Sequence, residues 1–332
     1  MSDADTTTET TTPFQMGYAL NGPLAGQSLD AADAANVLRD EALGWAHLSA
    51  DHPDTPDWIA RNLAYLDSTV IEALTSEVTR PRATAIGEGM LVVLRGLNLN
   101  EGMDPEDMVS VRMWIDAQRI VTLSRQRVRA LEDLATTIAA GQGPDTAGAF
   151  LSGLAERLNV RLEPFVRDLD QTVDGLEAQV IGAPDQTLRR TIVTLRLTVI
   201  ELRRHAVPQR IALQELYSGE HAILAPRDLR NLQETHDRLT RVLENLDELR
   251  DNLTVLRDEL AGQLSDRLNN NMFMLSILSA IFLPLGFLTG LFGINLAGMP
   301  GAGHPWAFWL FCGGLVLVAG LQFWILRRLK WL

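Results

Sequence analysis

The sequence predicts an α/β cytoplasmic domain, then a long stalk helix and two C-terminal transmembrane helices. Three observations predict it. First, charge is split along the chain: of 332 residues 42 are acidic and 29 basic, yet Leu268 to Leu326 contains no Asp, Glu, Lys or Arg. Second, two β-type runs, Val111–Ile115 and Arg119–Leu123, flank Asp116-Ala117-Gln118, a tight hairpin turn. Third, Leu246, Leu249, Leu253, Leu256 and Leu260 repeat at heptad a and d spacing.

Taken in order, residues 1–13 are polar, acidic and Thr-rich, without the basic start and apolar core of a signal peptide, and are expected to form a disordered tail. Residues 14–226 form the cytoplasmic α/β and helical domain. Trp58 to Glu77 has helical apolar spacing, and the run Met90–Leu94 sits between Gly87, Gly89 and Gly96. From Arg125 the pattern is helical: Arg125–Ala140, Thr146–Asn159, Glu163–Ile181 and Gln186–Tyr217, separated by Gly and Pro. No proline occurs between Pro226 and Pro284, so residues 227–271 read as the stalk part of one helix, ~100 Å long if it continues to Phe292. A helix of that length is expected to need helices of identical subunits to cover its leucine seam. Residues 272–292 and 306–326 are each long enough to cross a ~30 Å hydrocarbon core, and the Gly- and Pro-rich 293–305 joins them.

Arg267 precedes the first span, Arg327, Arg328 and Lys330 follow the second, and the loop has neither Lys nor Arg. The positive-inside rule therefore places both termini in the cytoplasm and the loop outside, with residues 327–332 as a basic cytoplasmic tail. Trp306, Trp309, Trp324 and Trp331 fall near span ends, where indoles anchor among lipid headgroups. The net charge of −13 argues against a nucleic-acid partner. The single cysteine, Cys312, excludes a disulfide framework and reads as a packing residue. No phosphate-binding loop, His-Glu-x-x-His or nucleophile elbow occurs, so no enzyme is indicated and no cofactor.

Two spans in one chain cannot enclose an aqueous path, but symmetric copies can. Asn269, Met272, Leu275 or Ser276, Ser279, Leu283, Gly286 and Gly290 recur at helical spacing on the first span, opposite Ile277, Ile281, Phe282, Phe287 and Leu288. Such a stripe either packs against another helix or lines water, and spacing leaves both readings open. It carries no carboxylate, so a cation path here would rely on amide and carbonyl dipoles around a hydrated ion. Asn269 and Asn295 bracket the span.

Gly293-Ile294-Asn295, directly after a charge-free span that ends a long helix, resembles the signature of the CorA superfamily of divalent-cation transporters, where Gly-Met-Asn is usual. Isoleucine in the middle place is similar to the ZntB-type zinc transporters. Thr79-Arg80-Pro81-Arg82, Gly87-Glu88-Gly89, Ser124-Arg125-Gln126-Arg127 and Phe282-Leu283-Pro284-Leu285-Gly286-Phe287-Leu288-Thr289-Gly290 extend the resemblance. It covers nearly everything from Phe14 onward. The resemblance implies a CorA-like homopentamer in the bacterial inner membrane that takes up divalent cations, zinc foremost, with protons as a coupling ion. It implies a filter of Gly293, Ile294 and Asn295. It also implies a path lined by Asn269, Met272, Leu275, Ser279, Leu283, Gly286 and Gly290, with Met272, Leu275 and Leu283 as hydrophobic constrictions. The loop departs from the CorA pattern at Met299-Pro300-Gly301, where many relatives carry an acid after Met-Pro.

Two rival readings stand beside this one. One is a CorA-like channel for magnesium, cobalt or nickel; the other is a membrane-anchored coiled-coil scaffold or sensor. Local candidates are also named. His52, Asp54 and Asp57 have ligand-type side chains, although Asp54, Thr55 or Asp57 are better placed to cap the next helix. His221 and His236 flank the start of the long helix, and His304 is the titratable side chain of the outer loop. The stalk acids from Asp237 to Asp266 alternate with arginines, which fits a solvated helix face as well as a cation-gathering surface.

Overall fold

The computed structural model describes residues 12–40, 42–77, 79–182, 185–293 and 303–329. The chain divides into two compact units: Met1–Gly182 with Thr187–Arg257, and Ala183–Gln186 with Asp258–Leu332. Of the expected tail and loop, residues 1–11 and 294–302 lie outside the described residues.

The first unit is built on a six-stranded sheet of β1 (Phe14–Ala19), β2 (Gly44–Ser49), β3 (Arg82–Ile86), β4 (Gly89–Gly96), β5 (Val109–Ile115) and β6 (Arg119–Ser124). Its order is β1-β2-β6-β5-β4-β3. The β2–β6 pair is parallel and the other pairs are antiparallel. The expected hairpin joins β5 to β6. Asp116 closes it by accepting the Gln118 and Arg119 N–H groups on Oδ1, both at 2.9 Å.

Both sheet faces are covered. On one, Ala46, Leu48, Leu91, Trp114, Val121 and Leu123 pack with α1 (Ala31–Val37), α2 (Thr55–Asn62) and α3 (Ser68–Thr75). On the other, Trp45 meets Phe150 edge-on at 5.1 Å, and Leu158 fits against Gly96. Phe150 and Leu158 belong to α5 (Ala147–Asn159), which follows α4 (Arg129–Ala139). Thr146 caps α5 by accepting the Ala149 N–H.

Two local expectations are corrected. The helical spacing from Trp58 to Glu77 is two helices, not one. Leu63 leaves helical geometry at φ −125° and ψ 55°, and Asp67 caps a fresh start by accepting the Thr69 N–H at 2.7 Å. Asp54 precedes α2 without capping it, because its ψ of 1° turns the backbone helix-ward rather than extended; the His52 ring instead accepts the Asp54 N–H at 3.2 Å.

The helical part comprises α6 (Leu162–Gly182), α7 (Gln186–Ser218, with Pro208 inside) and α8 (Pro226–Gly293). The seam leucines of α8 are buried inside the single chain: Leu246 and Leu253 at 0%, Leu249 at 1%. Arg203 on α7 reaches Asp247 at 2.8 Å, Glu156 on α5 faces Arg238, and the Tyr217 ring meets His236 edge-on at 5.2 Å. The chain's own helices therefore cover the seam, and the expectation that neighbouring subunits must do so is overturned. Heptad spacing reports that an apolar partner exists, not which chain supplies it.

The second unit contains the apolar end of α8 and α9 (Ala307–Arg328), both long and apolar enough to cross a membrane. Phe292 and Phe311 pack at 5.0 Å between ring centroids, and Ile277 is buried in the hairpin.

One buried polar group gives the sheet a pH dependence. The His47 ring, 2% exposed, lies with Nδ1 3.1 Å from the Thr122 carbonyl and Nε2 3.3 Å from Ser124 Oγ. A carbonyl only accepts, so Nδ1 carries the proton of a neutral ring. Burial pushes its pKa from 6.5 down to about 4, against the Thr122 bond, which raises it. The unfolded chain takes up this proton below pH 6.5 while the folded one does not. Stability is thus full above pH 6.5 and falls as the pH drops towards 4, by about 3 kcal/mol in all. Thermal unfolding between pH 7 and 4 should show this loss, and His47→Gln should flatten it.

Candidate transport face

The first span sets the site. At 100° per residue, Ile277, Ile281, Pro284 and Leu288 form one line, and these are buried or half-buried in the hairpin. Met272, Leu275, Ser279, Leu283, Gly286 and Gly290 fall on the opposite side, and all are exposed in the single chain, Leu283 at 72% and Met272 at 67%. Asn269 is exposed at the flank of this stripe. The second span thus leaves the small and polar stripe bare. Phe282 and Phe287, expected on the packed side, are 66% and 67% exposed: at 100° per residue Phe287 points sideways from the line that meets α9, and Phe282 falls beside Leu275 at the edge of the stripe. Hydroxyls of the span are spent locally, Ser276 on the Met272 carbonyl and Thr289 on those of Leu285 and Gly286.

Of the expected filter, Gly293 is the last residue of α8, while Ile294 and Asn295 lie outside the described residues. His304 is described and exposed. Its Nδ1 accepts the Trp306 N–H at 3.3 Å and its carbonyl accepts that of Ala307, so it helps start α9.

Among the described residues no group of three or more His, Cys, Asp or Glu could hold a metal ion. The His52 Nδ1 is taken by the Asp54 N–H. His221 Nε2 is 3.3 Å from the Glu215 carbonyl, and His236 Nδ1 is 3.1 Å from Asp237. Several stalk acids are paired: Asp247 with Arg203 and Arg250, Asp251 with Arg250, and Glu234 with Arg238.

Two pockets in the sheet unit are also poor cation sites. One, of about 470 Å³, contains Asp116, whose carboxylate takes the Tyr65 hydroxyl at 2.5 Å besides the turn N–H groups. Burial and that carboxylate hold the Tyr65 pKa above its usual value. The other, of about 270 Å³, gathers Arg95, Arg112 and Arg125 beside Glu201 and His205. Arg112 is fully buried, and burial together with Arg125 lowers its pKa to about 10. Glu77 and Asp107 also line this pocket, so its carboxylates face guanidiniums that compete with any cation for them. Arg112 and His47 carry no sequence signal of their burial, whereas Gln322 in the second span carries one, an amide inside an apolar run.

A sheet domain, a long helix and two C-terminal helices apolar and long enough to cross a membrane describe a membrane protein with a folded domain outside the bilayer. A family described as "CorA-like Mg2+ transporter protein" matches residues 40–328. The divalent cation transporter CmaX of Pseudomonas aeruginosa is 37% identical, over 95% of this chain and 96% of that one. The zinc transport protein ZntB of Pectobacterium atrosepticum is 36% identical, over 90% of each. Among solved structures, full-length CmaX superposes with a TM-score of 0.80 at 35% identity, covering 96% of this chain and 98% of that one. The CorA magnesium transporter of Methanocaldococcus jannaschii shares the fold, with a TM-score of 0.79 at 17% identity over 96% and 98%. The chain belongs to the CorA-like family of divalent-cation transporters.

Proposed function

We propose that the protein is a zinc importer of the bacterial inner membrane. It acts as a homopentamer with both termini cytoplasmic, the first spans of five copies surrounding the path. The observation that carries this reading is the bare stripe from Met272 to Gly290, which faces away from α9. With the stalk seam covered within each chain, this stripe is an exposed face open to other copies and to water. Gly293, Ile294 and Asn295 form the outer filter, and Asn269, Met272, Leu275, Ser279, Leu283, Gly286 and Gly290 line the path. Divalent cations pass hydrated, bound by dipoles rather than by fixed charge. Zinc is favoured by the relatives named as zinc transport proteins. CmaX, named for divalent cations at large, favours a second reading, a broader CorA-like channel.

Metal flux into proteoliposomes, zinc against magnesium, with and without a pH gradient, tests the proposal. Zinc entry driven by protons is the expected result, with His304, at the loop side of α9, as the next residue to replace. Magnesium entry indifferent to pH selects the broader channel. No flux from an intact oligomer leaves the scaffold reading.

A further inference from the structure

In the first span, Pro284 has no N–H to give to the carbonyl four residues earlier, that of Ala280. Inside a bilayer no water replaces the missing bond, and such a proline is tolerated where a neighbouring group fills the gap. Here a group does. Gln322, from the C-terminal third of α9, donates its Nε2 to the Ala280 carbonyl at 3.2 Å. The bond runs between the two spans, whereas the hydroxyls of Ser276 and Thr289 bond within their own helix. The other end of the amide has no such use: Gln322 Oε1 is shielded and has no hydrogen-bond partner among the described residues. An amide in an apolar span is costly, and one with an unused acceptor more so, so its donor is the half with a task.

We propose that Gln322 is a positioning residue: it closes the hydrogen-bond ladder that Pro284 opens and so fixes the first span beside Ser279 and Leu283. The bond ties α9 to the break in α8, at the level of the stripe proposed to line the path. Its part in transport rests on the transport reading above; the bond itself does not.

The test is a double-mutant cycle in the full chain, reconstituted in nanodiscs for thermal unfolding and in proteoliposomes for zinc uptake. Gln322→Met keeps length and volume but loses the donor; Pro284→Ala restores the N–H that Ala280 lacks. In the Pro284 background, Gln322→Met is expected to lower Tm by about 2–4 °C and to slow uptake about three- to tenfold, the range for one interhelical hydrogen bond. In the Pro284→Ala background the same substitution should leave Tm and uptake at the values of Pro284→Ala alone. Equal losses in both backgrounds, or no loss in either, overturn the proposal. A coupled Tm with uncoupled uptake overturns the positioning role in transport. If the unsubstituted chain shows no flux while Tm remains coupled, the transport reading fails and the bond stands.

Discussion

Asn295→Leu is expected to abolish metal uptake while leaving the oligomer intact. Asn295 closes the Gly293-Ile294-Asn295 run that follows the first span, and in five copies it would present a ring of amide oxygens at the outer mouth. The stripe behind it offers hydroxyls and small residues but no carboxylate, so an entering cation has few other polar groups to hold its water shell. Leucine has similar bulk and no acceptor. Losing a hydrogen bond to a charged species worth about 3 kcal/mol slows passage roughly a hundredfold. Uptake of zinc into proteoliposomes measures the effect, and size-exclusion of the same preparation checks assembly. Uptake equal to that of the unsubstituted chain would remove Asn295 from the filter.

Leu253→Ala should destabilise the sheet unit by about 2–5 kcal/mol, the range for truncating a fully buried leucine. Leu253 is 0% exposed within one chain, between Leu249 and Leu256 on the seam of α8. Because the cover comes from the same chain, the loss of Tm should be independent of protein concentration. A seam completed by other copies would instead make the deficit between variant and unsubstituted chain itself change with concentration, beyond the dependence that the unsubstituted oligomer shows. Unfolding of the variant across a hundredfold dilution series separates the two, and a concentration-dependent deficit would reinstate the intersubunit seam.

The helical two-thirds of the chain is legible because its signals are local. Thr146 stands before an apolar stripe and caps α5, and Gly or Pro separates several of the helices. The β5–β6 hairpin is legible for the same reason, with Asp116 at the turn. Strand β2 is not: Trp45, Ala46, His47 and Leu48 are all buried, so the alternation that marks a half-buried strand is absent. The break between α2 and α3 is hidden because Leu63, Leu66 and Val70 keep helical spacing across it. The stripe on the first span could be read from spacing, but the face meeting α9 could not be drawn accurately, as Phe282 and Phe287 show. Gln322 matters through Ala280, forty-two positions away; only the three-dimensional pairing of the spans brings the two together.

The parallel pair β2–β6 also constrains the order of assembly. Strands β3 to β6 form a meander whose neighbours follow one another along the chain, so they close with little loss of loop entropy. Gly44 must wait for Arg119, and Ser49 for Ser124. During synthesis from the N-terminus, the first fifty residues emerge with one edge of β2 unpaired, apolar and open to mispairing until the meander behind them is complete. The non-local contact order of this one ladder makes docking of β1 and β2 a late step, and slow passage through it exposes the nascent chain to aggregation before either span has left the ribosome.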